Sequence, residues 1–299
     1  MIASSSTLSL LQDRDRGVQI TMGPFSVRIR SELDGVRDYL ERFYSGFPKS
    51  EGSDGHFDVS VLGGRGLHRW MRPQATVVVN GATPFLPVPA TLAGPVLEWG
   101  LNWCVGRGAH RWVVVHAAVV ERSGRALILP APAGSGKSTL CAALTYAGWR
   151  LLSDEFALVN PRTVEVSPIP RPISLKKAAI DIIRRRHPDV VFGPEGRDLE
   201  GVRFVHARPP AESTARALEP ALPGWIVTPR YVPGSATIFT PMSKARTLLS
   251  IADQSFNYNY LSTEGFACLS ELVRRVECYN LEYSDLDDVL AHLTRMTAR

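Results

Sequence analysis

Residues 134–139, Gly134-Ser135-Gly136-Lys137-Ser138-Thr139, stand in an order that can cradle a phosphate chain. The glycines allow backbone turns with φ > 0 and let an anion come close to N–H groups. The lysine can reach β and γ phosphates, and the hydroxyl after it can hold magnesium. With Ala133 ahead of them, these residues make up the nucleotide-contacting set. The stretch opens PAPA, so Ala131 stands where such loops carry a glycine. That residue must then take φ < 0, and Pro132, without an N–H, cannot donate to phosphate. A buried strand leads in and a 3.6-period helix over 138–148 leads out, which is the context a phosphate loop requires.

Asp154 and Glu155 follow Lys137 by seventeen and eighteen residues, at the exit of the next apolar strand. Loops at the carboxyl ends of strands in an open α/β sheet line its ligand crevice. One carboxylate can hold magnesium while the other accepts the proton of an attacking hydroxyl. A helix cap or a salt bridge is the structural alternative for either. His116 depends on register. If Arg122 and Arg125 flank a two-residue turn, paired positions sum to 247, and His116 falls opposite Ala131. There it either tunes the acid pair or is a core histidine bonded to a carbonyl. Asp154, His116 and Lys137 are thus the candidate catalytic residues; Ser138 and Glu155 are the candidate metal ligands.

Arg171, Lys176 and Lys177 read as a Pro-flanked loop entering a helix, either binding phosphate or an acidic segment or merely solvated. Arg230, after a buried strand, either neutralises transition-state charge or makes a structural ion pair.

Positioning these residues takes a sizeable core, and 299 residues with 44% apolar and 21% charged side chains provide one. Residues 1–18 read as a loose arm. Residues 19–108 read as an α+β subdomain, mostly antiparallel: strands at 23–31, 56–62 and 75–79, a helix at 34–47, an Asn80-Gly81 hairpin turn and a linking helix at 90–108. Residues 109–299 read as an α/β catalytic domain, with continuous apolar runs at 111–120, 125–131 and 149–159. A helix is expected at 174–187, a mobile Gly/Pro/Arg stretch at 188–224, strands at 225–232 and 236–242, and helices at 243–253 and 264–276. Ser284, three residues before Asp287, suggests a capping box for the last helix. Trp99, Trp103 and Trp112 are expected to pack the subdomain onto the core.

The net charge of +5 is carried almost wholly by arginine, without a basic run interleaved with aromatics, so no nucleic-acid partner is expected. The N-terminus lacks a basic segment followed by an apolar one, and no stretch reaches about 18 apolar residues, so neither a secretory signal nor a membrane span is expected. The four cysteines, Cys104, Cys141, Cys268 and Cys278, show no CxxC spacing, which fits reduced thiols and a cytoplasmic location.

The stretch from His116 through the glycine-rich loop to Glu155 resembles HPr serine kinases in order and spacing. More closely, the chain resembles the bacterial group called HPr kinase-related kinase A, through LEWGLNWC (97–104), GWRLLSDEFAL (148–158), PRPISLK (170–176) and SFNY (255–258). The resemblance implies a P-loop kinase core using ATP and Mg²⁺, with Asp154 as base and Glu155 as metal partner. The chain departs from HPr kinases in having Glu155 in place of a second Asp, Thr139 in place of Glu and Ala131 in place of Gly, and it has no clean Glu-x-Arg-Gly segment. HPr kinases are hexamers, so a homo-oligomer stays open. The function expected is transfer of the γ-phosphate to a Ser or Thr hydroxyl of a protein or peptide. A kinase of a small hydroxylated metabolite, and a nucleotide-gated binding or assembly module without an acceptor, are the alternatives.

Overall fold

The computed structural model describes residues 17–48, 57–64, 71–132 and 134–297, which form a mixed α/β protein. Most of the expected N-terminal arm lies outside these residues; its last residue, Val18, opens a strand. The first sheet runs in the order β1 (Val18–Met22), β2 (Phe25–Ser31), β3 (Phe57–Gly63), β4 (Gln74–Val79), β5 (Val88–Pro89). Only β2 and β3 pair in parallel. Strict alternation puts Ile20, Val27, Ile29, Val59 and Val61 on the buried face. That face is covered by α1 (Asp34–Tyr44), which buries Val36, Tyr39, Leu40 and Phe43, and by α2 (Ala93–Gly108). Asn80 and Gly81 make the expected turn with φ of 47° and 82°. Its second arm stops at the Val79–Ala82 bridge, because the chain turns away to pair Val88–Pro89 with the start of β4.

From Val113 the chain runs through β6 (Val113–Arg122), β7 (Arg125–Pro130), α3 (Lys137–Tyr146), β8 (Arg150–Ser153), β9 (Phe156–Val159), β10 (Val166–Ser167), β11 (Ile173–Lys176), α4 (Ala178–Arg186), β12 (Gly196–Arg197), β13 (Arg203–Ala207), α5 (Ala211–Ala215), β14 (Leu222–Tyr231), β15 (Ile238–Pro241), α6 (Lys244–Asp253), α7 (Tyr258–Arg275), β16 (Glu277–Tyr283) and α8 (Leu286–Thr297). The central sheet has the order β10-β9-β6-β7-β14-β16-β15, with β8 also on β6. β7, β14 and β16 are parallel, and the others are antiparallel to their neighbours. One face packs on α3, α4 and α8, the other on α6 and α7. Burial on both faces explains the unbroken apolar runs. Each fully buried large side chain, such as Leu127 or Leu140, contributes about 1.5–3 kcal/mol. Trp112 joins the first sheet to the second, packing on Phe25 and donating its indole N–H to Ser167 Oγ at 3.0 Å.

Four expectations are corrected. Residues 149–159 are two strands, not one. The helix at 174–187 is β11 followed by α4, because Ile173 and Leu175 alternate into the core and pair with β13. The stretch 188–224 carries regular structure: β12 and β13 join β11 in a three-stranded sheet, and α5 follows. Finally, α8 is capped by Asp285, whose Oδ1 accepts from the N–H groups of Asp287 and Asp288, while Ser284 Oγ donates to Ser235 O. All four cysteines are free and buried. Among the described residues no helix is long and apolar enough to cross a membrane.

Candidate active site

β7 delivers the chain to the glycine-rich loop at the edge where β14 and β16 also end. Ala131 is buried and is not among the residues with positive φ, while Gly134 and Gly136 turn the loop at φ of 84° and 90°. Ala133 lies outside the described residues. Two side strands pin the loop. Tyr231 N–H donates to Ser135 O at 2.9 Å, and Tyr283 Oη donates to Gly136 O at 3.2 Å. The α3 ladder begins with Leu140 N–H to Gly136 O at 3.0 Å, so the N–H groups of Lys137, Ser138 and Thr139 are the helix's free first-turn donors. Their partial positive charge faces the loop. Ser135 Oγ is buried with no hydrogen-bond partner among the described residues.

The two glycines are needed for different reasons. A Cβ on Gly134 meets nothing within 4 Å, so only its φ resists substitution. A Cβ on Gly136 would lie 2.6 Å from Tyr283 Oη and 3.1 Å from Tyr231 Cβ. Gly134→Ala is therefore expected to cost about 1–2 kcal/mol of stability, the left-handed penalty alone. Gly136→Ala should cost at least about 1 kcal/mol more, because overpacking adds to it. Urea unfolding of the two variants checks the order; equal losses would show that the tyrosines yield freely.

Lys137 turns back over the sheet. Its ammonium donates to His116 Nε2 at 2.7 Å, and it is nearly buried. The register that places His116 here is the expected one: Arg122 pairs with Arg125 and Ala117 with Pro130. Burial holds Lys137 below the ordinary lysine range, and Glu155 and Asp154 pull it back up. Burial and then the Lys137 charge also lower the proton affinity of His116, against the pull of Glu155. A neutral ring that accepts at Nε2 carries its proton on Nδ1. That nitrogen lies 3.5 Å from Glu155 Oε2, so the histidine links the lysine to the acid. His116 thus stands between the Lys137 ammonium and Glu155, whose carboxylate and backbone both favour its protonated form.

The acids sit at the exit of β8, as expected. They occupy the break between β8 and β9, both of which pair with β6. Ser153 makes the break: its Oγ accepts from the N–H groups of Glu155 and Phe156 at 3.2 and 3.0 Å. Glu155 O, in turn, accepts from Ala117 N–H. The result is one buried acid beside one partly exposed acid. Asp154 is 2% exposed, and its Oδ2 accepts from Ser174 N–H at 2.9 Å. Burial, then the charge of Glu155, raises its pKa to about 7, opposed by Ser174 and Arg171.

The remaining candidates are occupied elsewhere. Arg171 is buried, not solvated in a loop. It is paired with Glu98 at 3.2 Å and bonded to Asn102. Tyr44 and Tyr39 donate to the other Glu98 oxygen at 2.6 and 3.2 Å, and His206 Nδ1 meets Tyr39 Oη at 2.9 Å. Burial drives His206 down to about 3, so its ring is neutral and Nδ1–H donates to the tyrosine. Arg171 therefore ties α1 and α2 to the segment entering β11, and its buried Nε has no partner among the described residues. Lys176 is an exposed partner of Asp198, and Arg230 an exposed partner of Glu282. Sequence reasoning missed Glu98 as a buried charge; its signal was a lone acid inside the apolar run LEWGL. It also missed Tyr231 and Tyr283, which carry no local signal.

The donor set around the loop is a hydroxyl, Ser138, and carboxylate oxygens at 154 and 155. These hard oxygen donors suit magnesium, which takes one or two carboxylates and fills its shell with phosphate and water. Concave surfaces of about 420 Å³ between α1 and residues 192–194 and of about 480 Å³ beside Glu195 and Arg197 contain no residue of 134–139, so chemistry rather than size locates the site. No protein-family model matches the chain, and no curated protein matches it.

Proposed function

We propose that this protein is a P-loop kinase of HPr-kinase type that transfers the γ-phosphate of ATP to a hydroxyl, most simply a Ser or Thr of a protein or peptide. One observation carries the reading. At one sheet edge stand a glycine loop at a helix N-terminus, a nearly buried lysine, and a buried carboxyl with a proton affinity near neutrality. A loop alone would support nucleotide binding. A buried base-like carboxyl beside it supports transfer to an acceptor.

In this scheme the free N–H groups of 137–139 and the Lys137 ammonium hold the phosphates, and the phosphate oxygens compete with His116 for that ammonium. Ser138 and Glu155 would hold Mg²⁺, which draws charge off the β and γ oxygens when bound. Asp154 takes the proton of the acceptor hydroxyl. The acceptor oxygen bonds to the γ-phosphorus as the bond to the β–γ bridging oxygen breaks, leaving ADP. The side chains of His116 and Glu155 are each 28% exposed, and Phe256, packed edge-on against His116, is half exposed. These partly exposed side chains flank the buried base, and an acceptor carried on a protein or peptide would approach past them. The test is incubation with γ-labelled ATP and Mg²⁺ against cell extract fractionated by size. Label on protein or peptide supports the proposal. Label on small molecules alone turns the acceptor to a metabolite. ATP hydrolysis with no labelled product refutes transfer.

A further inference from the structure

The side of the loop opposite the acids has its own construction, and nothing above assigns it a ligand. β14 and β16 run parallel to β7 and extend past its end, pairing Tyr231 with Tyr283 in register. The Tyr231 ring meets the Tyr283 ring edge-on at 5.9 Å, and its Cβ lies against Gly136. Tyr283 is buried and bonded to the loop, so Tyr231 is held from below and behind while half of it remains exposed. The turn that follows is fixed by Val232 N–H to Tyr283 O and Ser235 N–H to Val232 O.

Polarity follows from the two flanks. Lys137, the group for β and γ phosphates, bends to the His116 and Glu155 flank. The transferred end of the phosphate chain belongs beside the base, so the nucleoside end leaves toward the other flank. There the chain leaves β7 for α3 on one sheet face and later returns as β14, whose onward helices α6 and α7 cover the opposite face. Crevices at such points, outside the carboxyl ends of strands, are where α/β sheets bind ligands.

We infer that the nucleoside of the bound nucleotide lies over the ends of β14 and β16, with its base stacked on the Tyr231 ring. This rests on the reading of residues 134–139 as a phosphate loop. The ring offers a rigid apolar platform for a flat base.

The experiment compares ATP with inorganic tripolyphosphate, both with Mg²⁺, by calorimetry on wild type, Tyr231→Ala and Tyr231→Phe. Tyr231→Ala keeps the backbone N–H that holds Ser135, and tripolyphosphate binding reports whether the loop survives. The expected result is a loss of ATP affinity of about tenfold or more in Tyr231→Ala, within the range of lost base–aromatic stacking. Tripolyphosphate affinity should stay within about twofold, and Tyr231→Phe should restore ATP binding. Equal weakening of both ligands, or unchanged ATP affinity, overturns the nucleoside placement alone. A wild type that binds neither ligand overturns the phosphate-loop reading and the placement with it.

Discussion

Asp154→Asn is expected to abolish phosphate transfer while leaving ATP binding within a few-fold of wild type. The amide has the shape of the carboxyl and can still accept from Ser174 N–H through its oxygen. What it cannot do is take a proton. General-base contributions are typically about 10²- to 10⁴-fold, so the transfer rate should fall by that much. Wild-type kcat/KM should rise with pH through about 7 and then level, because the carboxyl must be ionised to act and burial beside Glu155 holds its pKa there. Stability should move the other way. The folded-state pKa of about 7 lies above the model-compound value of 3.8, so the folded protein holds a proton that the unfolded chain releases. Stability is therefore lost as pH rises from about 4 to 7. Asp154→Asn carries no charge to bury and should melt higher than wild type at pH 8. Radiolabel transfer, calorimetry and thermal melts read the three effects. Full transfer activity in Asp154→Asn would remove this residue as the base. A variant that melts lower at pH 8 would show the carboxylate to be structural.

Glu98→Ala has the largest expected effect on stability. The carboxylate is buried, and it is the counter-charge of Arg171 and the shared acceptor of Tyr39 and Tyr44. Removing it leaves a buried guanidinium without its ion partner, a loss of about 3–5 kcal/mol. Replacing both partners at once, as Glu98→Leu with Arg171→Met, removes two desolvated charges and should recover much of the loss. Urea unfolding at pH 7 tests both variants. A single variant within about 1 kcal/mol of wild type would show that water reaches the pair and screens it. Burial pushes the Glu98 pKa up, opposed by Arg171 and by the hydroxyls of Tyr44 and Tyr39.

The loop and its setting were legible in the residues because they are local. Gly134 and Gly136 stand where the chain needs φ > 0, and that requirement belongs to the residue itself. The register of His116 was legible too, since a two-residue turn at Ser123-Gly124 sets every pair along β6 and β7. The alternation of β2 and β3 and the amphipathic face of α1 were likewise readable from period alone. What failed was reading one apolar run as one strand. Periodicity cannot see that Ser153 Oγ caps two N–H groups and splits 149–159, placing Asp154 inward and leaving Glu155 partly exposed.

The sequence by itself determined the mixed α/β character, the glycine turn, the lysine and the identity of the two acids, because near-neighbour sterics and burial period are written in order along the chain. The tertiary structure alone decided which charges are free to meet a ligand. Arg171 finds Glu98 73 residues away, Arg230 finds Glu282 52 residues on, and Tyr231 meets the loop through a parallel pairing. Charge pairing and desolvation depend on distances in space, and those are set only when α1, α2 and the strands close around them.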